Sequence, residues 1–161
     1  MRVAIELDPK GILAWQGLGF VFAFNNMPDS ATRAFEAAFA LDSTLFGRRT
    51  NLIFGYAAAG RWADASRQRA LLEREGPTNS PDYYRTVVHL TFGEYDAAMN
   101  SLERGVAARE PLFGILSIPC DPLFDPLQSS PRFAALVKRL GGRSCSVTTK
   151  WPIAVRPKGR S

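Results

Sequence analysis

The chain is poor in the residues that catalysis and metal binding most often need. Its only histidine, His89, has no accompanying nucleophile or ligand set, which favours a packing or surface role. The two cysteines, Cys120 and Cys145, fit no zinc spacing and are too few for a disulfide scaffold. We therefore expect two free thiols and no bound metal.

Motifs that hold phosphates, nucleotides or catalytic metals are also missing. The sequence contains no Gly-x-Gly-x-x-Gly, no phosphate loop and no His-Glu-x-x-His. Asp121 and Asp125 each precede a proline, so turn formation explains them better than a metal site or a carboxylate pair. We expect no catalytic residue and no cofactor, and hence a protein that is not an enzyme.

Long apolar runs are absent as well. No run reaches the ~18 residues of a membrane-spanning helix, and the nearest candidate, residues 11–26, is interrupted by Gln16. That stretch is typical of an amphipathic or buried helix. Near the N-terminus Glu6 and Asp8 stand where the apolar core of a secretory signal should begin. These features predict a cytoplasmic protein without a membrane span.

The net charge of +5 comes from the end of the chain. All 15 acidic residues precede Gly142, and so do all but five of the 20 basic residues, which leaves residues 1–142 electrically balanced. A basic tail of this kind is weak evidence that the body binds nucleic acid. Arg48 and Arg49 are expected on a solvated helix face. The five basic residues of the tail are Arg143, Lys150, Arg156, Lys158 and Arg160.

A 34-residue period organises most of the sequence. The stretch Ala4–Pro9, "AIELDP", recurs 34 positions later as Ala38–Ser43, "AFALDS". Signature residues, most of them small or aromatic, follow the first stretch in a fixed order: Trp15, Leu18, Gly19, Phe22, Ala31, Phe35 and Ala38. This pattern resembles the tetratricopeptide repeat, which has the same period and residue order.

Two further copies follow with fewer signature residues. The second keeps Leu52, Tyr56, Ala65 and Pro77. In the third, "FGEYDAA" at 92–98 copies "AGRWADA" at 59–65. Gly60 and Gly93 thereby correspond, and each suits a helix C-terminus in the left-handed conformation.

The resemblance implies an all-α fold, a right-handed superhelical solenoid of antiparallel helix pairs with a C-terminal capping helix. Helices are expected at 10–25, 28–41, 45–59, 61–75, 80–92 and 94–109. Small residues such as Gly19 should let helix axes approach closely. The implied domains are a remnant of a preceding repeat at 1–9, about three repeats within 10–113 (12–45, 46–78 and 79–113), proline-rich turns with a capping helix at 114–142, and a basic disordered tail at 143–161.

The capping helix is predicted from residues 130–141. Ser130 suits the N-cap, Pro131 the first helical position and Gly141 the end. One apolar stripe follows from the helical spacing of Phe133, Leu136, Val137 and Leu140. The stretch "DPLFDPLQSSPRFAALVKRLG" also resembles the C-terminal ending of bacterial proteins in which such repeats follow a signalling domain, among them winged-helix regulators, adenylate cyclases and serine/threonine kinases.

In tetratricopeptide arrays the first helix of each pair lines a concave face that binds partners. Because these positions are apolar here, they favour an apolar helix or extended peptide over a clamped carboxylate. The alternative is that Phe20, Phe24 and Phe54 belong to the core between repeats. By register, the groove residues are Leu13, Gln16, Phe20, Phe24, Thr50, Phe54, Ala57, Tyr83, Val87 and Leu90.

The leading hypothesis is a non-catalytic module that binds another protein through this groove. One alternative is the detached regulatory part of a signalling protein. Another is association with nucleic acid or an anionic surface through the basic tail, which the balanced charge of the body disfavours. Self-association through the uncapped half-repeat at 1–9 is a further expectation.

Overall fold

The computed structural model describes residues 10–43, 46–74, 81–111 and 118–141. These ranges are helical and contain no β-strand. None of their helices is long and apolar enough to cross a membrane. The helices are α1 (Ile12–Phe24), α2 (Pro28–Leu41), α3 (Phe46–Ala58), α4 (Trp62–Arg74), α5 (Asp82–Thr91), α6 (Tyr95–Ala107), two 3₁₀ helices (Ile118–Cys120 and Pro122–Leu127) and α7 (Pro131–Arg139).

The all-α class is confirmed for the described residues, and every observed bound of α1 to α6 lies within two residues of its predicted position. The predicted half-repeat at 1–9 and the predicted tail at 143–161 lie outside the described residues.

The chain divides into two compact units whose boundary falls between Asn79 and Ser80. In the first unit α1 packs against α2, α2 against α3 and α3 against α4. In the second, α5 packs against α6, and α6 also contacts α7 and the second 3₁₀ helix. One helix pair therefore lies in each predicted repeat. The superhelical arrangement of the three pairs stays a prediction.

The same turn joins the two helices of each pair. Asn26, Gly60 and Gly93 have positive φ values of 57°, 72° and 72°. They lie 34 and 33 positions apart. In all three turns the following residue donates its N–H to a carbonyl five positions earlier, at 2.8–2.9 Å. These bonds satisfy carbonyls that the helix end leaves open. The predicted left-handed role of Gly60 and Gly93 is confirmed, and Asn26 fills the same role without having been predicted.

Phe35 is the centre of the first unit's core. Its ring is fully buried between two helical glycines. A Cβ on Gly19 of α1 would lie 2.4 Å from Cε1 of Phe35, and one on Gly55 of α3 would lie 2.7 Å from Cδ2. Close approach at Gly19 follows the prediction, whereas the role of Gly55 was missed. Thr32 adds a link between α2 and α3, because its Oγ1 lies 3.0 Å from the carbonyl oxygen of Gly55.

In the second unit a glutamate just after α6 caps the start of α5. Glu110 accepts hydrogen bonds from the backbone N–H groups of Asp82 (2.8 Å, to Oε1) and Tyr83 (3.1 Å, to Oε2). Arg104 of α6 donates from Nη2 to Oδ1 of Asp82 at 2.7 Å. A carboxylate at a helix N-terminus satisfies open N–H groups and interacts favourably with the helix dipole. These contacts hold the α5–α6 pair together at one end.

The second 3₁₀ helix and α7 form the cap of the second unit. Phe124 and Phe133 stack with ring centroids 6.3 Å apart. Arg132 binds Glu103 of α6 through Nη2, at 2.8 Å from Oε2, and Nε, at 3.3 Å from Oε1; Nη2 also donates to Asn100 at 2.8 Å. The same side chain therefore fixes α7 to α6 at two residues of one helix face.

Three expectations about this cap need refinement. Ser130 occupies the N-cap position, but its side chain makes no capping hydrogen bond. The predicted apolar stripe is buried at three residues, whereas Leu140 is 47% exposed. The turn interpretation of Asp121 is confirmed, since its Oδ1 accepts the N–H of Leu123 at 2.9 Å and begins the 3₁₀ helix. The Asp125–Pro126 step lies within that helix rather than in a separate turn.

Two expectations about single residues are wrong. Cys120 is disulfide-bonded rather than a free thiol, and the other cysteine, Cys145, lies outside the described residues. Arg48 is buried rather than solvated. It forms an ion pair with the carboxylate of Asp42, and its Nη1 donates to the Asp42 carbonyl at 3.0 Å. An ion pair at the start of α3 explains how a guanidinium is tolerated there.

Candidate protein-binding surface

Six of the ten predicted groove residues are buried within the chain. A partner cannot reach a buried side chain without rearrangement of the helices, so these positions form core rather than an open groove. Three of them lie in α3 and three in α5. They are Thr50, Phe54, Ala57, Tyr83, Val87 and Leu90.

Phe54 shows why the core interpretation is correct for α3. Its ring has no exposed surface. The ring centroids of Phe20, Phe24 and Phe35 lie 5.6, 6.3 and 6.4 Å from its own. These are the separations of packed aromatic pairs. Phe54 therefore fills the space between α1, α2 and α3 and is not available as an anchor for a partner.

The four remaining predicted residues all belong to α1. Leu13 is 81% exposed, while Gln16, Phe20 and Phe24 are half-buried. Phe20 also packs its edge against Phe35, with centroids 5.1 Å apart. The structure thus reduces the predicted groove to one helix, whose aromatic residues are anchored in the core and partly open to solvent.

α1 is unusual among the described helices because it is apolar on every side. It contains no charged residue, and Gln16 is its only polar side chain apart from the indole of Trp15. The inward side of α1 holds Leu18, Gly19 and Ala23, which are buried. A helix that is apolar all round is normally covered on all sides. In the described residues α1 packs against α2 and also contacts α3.

The opposite side of α1 is open. Leu13, Gly17 and Val21 follow one another at four-residue spacing, which places them on one line along the helix. Val21 is 44% exposed and Gly17 half-buried. Val21 was not predicted because the inferred groove line on α1 runs through Phe20 and Phe24, and Val21 lies to one side of that line. We call Leu13, Gly17 and Val21, with the flanking Phe20 and Phe24, the outer face of α1.

The ionisable groups around the turn at Gly60 make contacts that stabilise the fold. Tyr56 donates to Oε1 of Glu36 at 3.0 Å, and Arg61 lies 4.5 Å above the Tyr56 ring. Arg61 also binds Asp64, with Nε at 2.9 Å from Oδ2. Burial, together with the hydrogen bond to Glu36, raises the pKa of Tyr56. Tyr56 therefore stays a neutral donor near pH 7 and links α2 to α3.

His89 also has a structural partner. Its Nδ1 lies 2.6 Å from Oε2 of Glu94, across the turn at Gly93 that joins α5 to α6. This contact between side chains links the two ends of the turn. Within the described ranges no group of three His, Cys, Asp or Glu residues is placed to hold a metal ion.

Comparison of the chain with protein-family profiles, curated protein sequences and solved structures gives no match. The resemblance to tetratricopeptide proteins and the expected signalling context therefore stay predictions.

Proposed function

We propose that this protein is a non-catalytic interaction module of the tetratricopeptide type, and that it binds its partner through the outer face of α1. The observation that carries the proposal is the exposure of an uncharged helix. Leu13 is 81% exposed and Val21 44% exposed on a helix without a single charged residue.

The energetics favour a covered outer face. Full burial of an exposed leucine or valine side chain contributes about 1.5–3 kcal/mol, and covering Leu13 gains more of this than covering Val21, which is only 44% exposed. Phe20 and Phe24 are already held in the core by Phe54 and Phe35. A partner that covers their exposed edges would lose little side-chain entropy in ordering them, which favours binding.

The repeat assignment is supported by the three equivalent turns at Asn26, Gly60 and Gly93, which recur with the spacing of the sequence period. Arrays of such repeats bind partners by their surfaces rather than by reaction chemistry. The chemistry of the outer face favours an apolar helical segment as partner, bound by regularly spaced anchors.

A displayed library of random peptides of about 16 residues tests the proposal. Selection on the wild-type protein should enrich helix-forming peptides with one uncharged apolar side. Leu13→Glu should weaken their binding at least 10-fold, while Leu71→Glu should not. Leu71 is the matched control because it is a partly exposed leucine, at 37%, on α4.

Circular dichroism should give equal helicity for both variants, since substitutions at exposed positions cost about 0.5 kcal/mol or less. Enriched peptides that bind wild type and Leu13→Glu equally would refute the assignment of the surface. Failure to enrich any peptide above the level of an unrelated protein would refute the proposed function.

A further inference from the structure

We infer that the partner of the outer face of α1 is α1 of a second copy of this chain, paired antiparallel about a two-fold axis at Gly17. The inference rests on the proposed function, because it names the occupant of the same surface.

The absence of charge on α1 favours a second α1 as its partner. α1 is the only described α-helix without a charged residue, and each of the other six carries at least two. An outer face made only of apolar side chains offers no ion-pair partner to a charged residue placed against it. Burying an unpaired charge there would be costly. Two copies of α1 meet without bringing any charge into the contact.

The spacing of the outer face is self-complementary in the antiparallel sense. Leu13 and Val21 lie four residues to either side of Gly17, about 6 Å along the helix axis. A two-fold axis at Gly17 places Leu13 of one copy opposite Val21 of the other, twice. Such an isologous contact requires that one surface match itself under rotation.

Side-chain size also suits this pairing. At the axis the two glycines meet, so the helices can approach to about 8 Å, the short end of the usual range. One turn away, the large Phe20 falls opposite the small Ala14 of the other copy. Alternation of large and small residues across facing positions lets two helices interdigitate. Antiparallel pairing also places opposite ends of the helix dipoles next to each other.

The contact is small. A 13-residue helix is about 20 Å long, so pairing two of them covers less than the ~800 Å² per partner of a standard interface. We therefore expect a dissociation constant on the order of 10–100 µM.

Sedimentation velocity of the full chain between about 1 and 500 µM tests the inference. Wild type and Leu71→Glu should shift from monomer to dimer over this range. Leu13→Glu and Val21→Glu should each weaken dimerisation at least 10-fold. Equal helicity by circular dichroism, measured on the same samples, establishes that each variant is folded.

A charge pair tests the antiparallel register. Leu13→Lys and Val21→Glu should each dimerise at least 10-fold more weakly than wild type when measured alone. An equimolar mixture should form heterodimers, because the lysine introduced in one chain meets the glutamate introduced in the other. In a parallel arrangement Leu13 would face Leu13, so Leu13→Lys mixed with Leu13→Glu would be the pair that recovers association.

The outcomes separate the two proposals. A wild-type chain that stays monomeric at 500 µM overturns the second copy as partner, while selected peptides that depend on Leu13 would still support the binding surface. A dimer that survives both Leu13→Glu and Val21→Glu overturns α1 as the dimer interface. Rescue by the parallel mixture alone overturns the two-fold axis at Gly17.

Discussion

Phe35 gives the residue-scale test of how the first unit is packed. Alanine normally stabilises a helix by about 1 kcal/mol relative to glycine. At Gly19 the added Cβ would lie 2.4 Å from the Phe35 ring, which is held on its other side by α3. We therefore expect Gly19→Ala to lower the free energy of unfolding by about 2 kcal/mol, the usual cost of overpacking, in urea titrations followed by circular dichroism.

The double variant Gly19→Ala/Phe35→Leu is the control. Leucine lacks the ring that meets the new Cβ, so the two substitutions should interact favourably, and the double variant should lose less stability than the sum of the single changes. A stabilising Gly19→Ala, or strict additivity of the two substitutions, would contradict the packing of Phe35 between the glycines.

Asp121 and Asp125 provide a residue-scale prediction about pH. Burial raises the pKa of both carboxyl groups, and the charge of Asp121 raises the pKa of Asp125 further. A raised pKa means that the folded state prefers the protonated acid, so these groups reduce stability above the raised pKa. Their cost disappears as the pH falls to the pKa of the unfolded chain, near 3.9.

Asp125→Asn should accordingly raise the Tm at pH 7 by about 2 °C, a small effect because Asp125 is partly solvated. The advantage over wild type should shrink as the pH falls from 7 towards 4. Asp121 is unsuitable for this test because its Oδ1 caps the 3₁₀ helix. An advantage that grows on acidification would show that the assigned direction of the pKa shift is wrong.

At the scale of elements, the helices were predictable because their signals are local. Gly60 and Gly93 mark helix ends by their own conformational freedom, and Pro28 and Pro131 stand at helix starts. The residue that caps a helix end from elsewhere in the chain could not be predicted in this way. Glu110 lies 28 residues after Asp82, whose N–H it accepts, and no local pattern predicts a bond over that separation.

The Glu110 cap yields a prediction about α5. Glu110→Ala leaves the N–H groups of Asp82 and Tyr83 without their carboxylate, so we expect a loss of about 1–2 kcal/mol in the free energy of unfolding. Glu110→Gln keeps one acceptor oxygen and should lose less. Glu73→Ala is the matched control, because Glu73 makes an exposed ion pair with Arg69 that contributes about 0.5 kcal/mol or less.

Chemical denaturation monitored by circular dichroism measures all three variants. Hydrogen exchange at the amides of Asp82 and Tyr83 localises the effect, since their protection should fall in Glu110→Ala and stay unchanged in Glu73→Ala. Equal losses in the two alanine variants would mean that the cap contributes no more than a surface ion pair.

At the scale of the whole molecule, the sequence period predicted three helix pairs but not which of the inferred groove residues are buried. Register places Phe54 and Phe20 on the first helices of their pairs, and that inference needs only the 3.6-residue helical repeat. Whether a face is covered depends on contacts between elements distant in sequence. Phe54 is covered by α1 and α2, so the α3 part of the inferred groove became core, whereas Leu13 of α1 stayed exposed.

Thermal stability gives a whole-molecule prediction that follows from pairing through α1. A dimer that forms only from folded chains raises the Tm with protein concentration by mass action. With a dissociation constant of about 50 µM, raising the wild-type concentration from about 5 to 500 µM should stabilise the folded chain by about 1 kcal/mol and raise the Tm by about 3 °C. The Tm of Leu13→Glu should rise by no more than about 1 °C over the same range, and Leu71→Glu should follow wild type. A concentration-dependent Tm of equal size in Leu13→Glu would mean that the chain associates through a surface other than the outer face of α1.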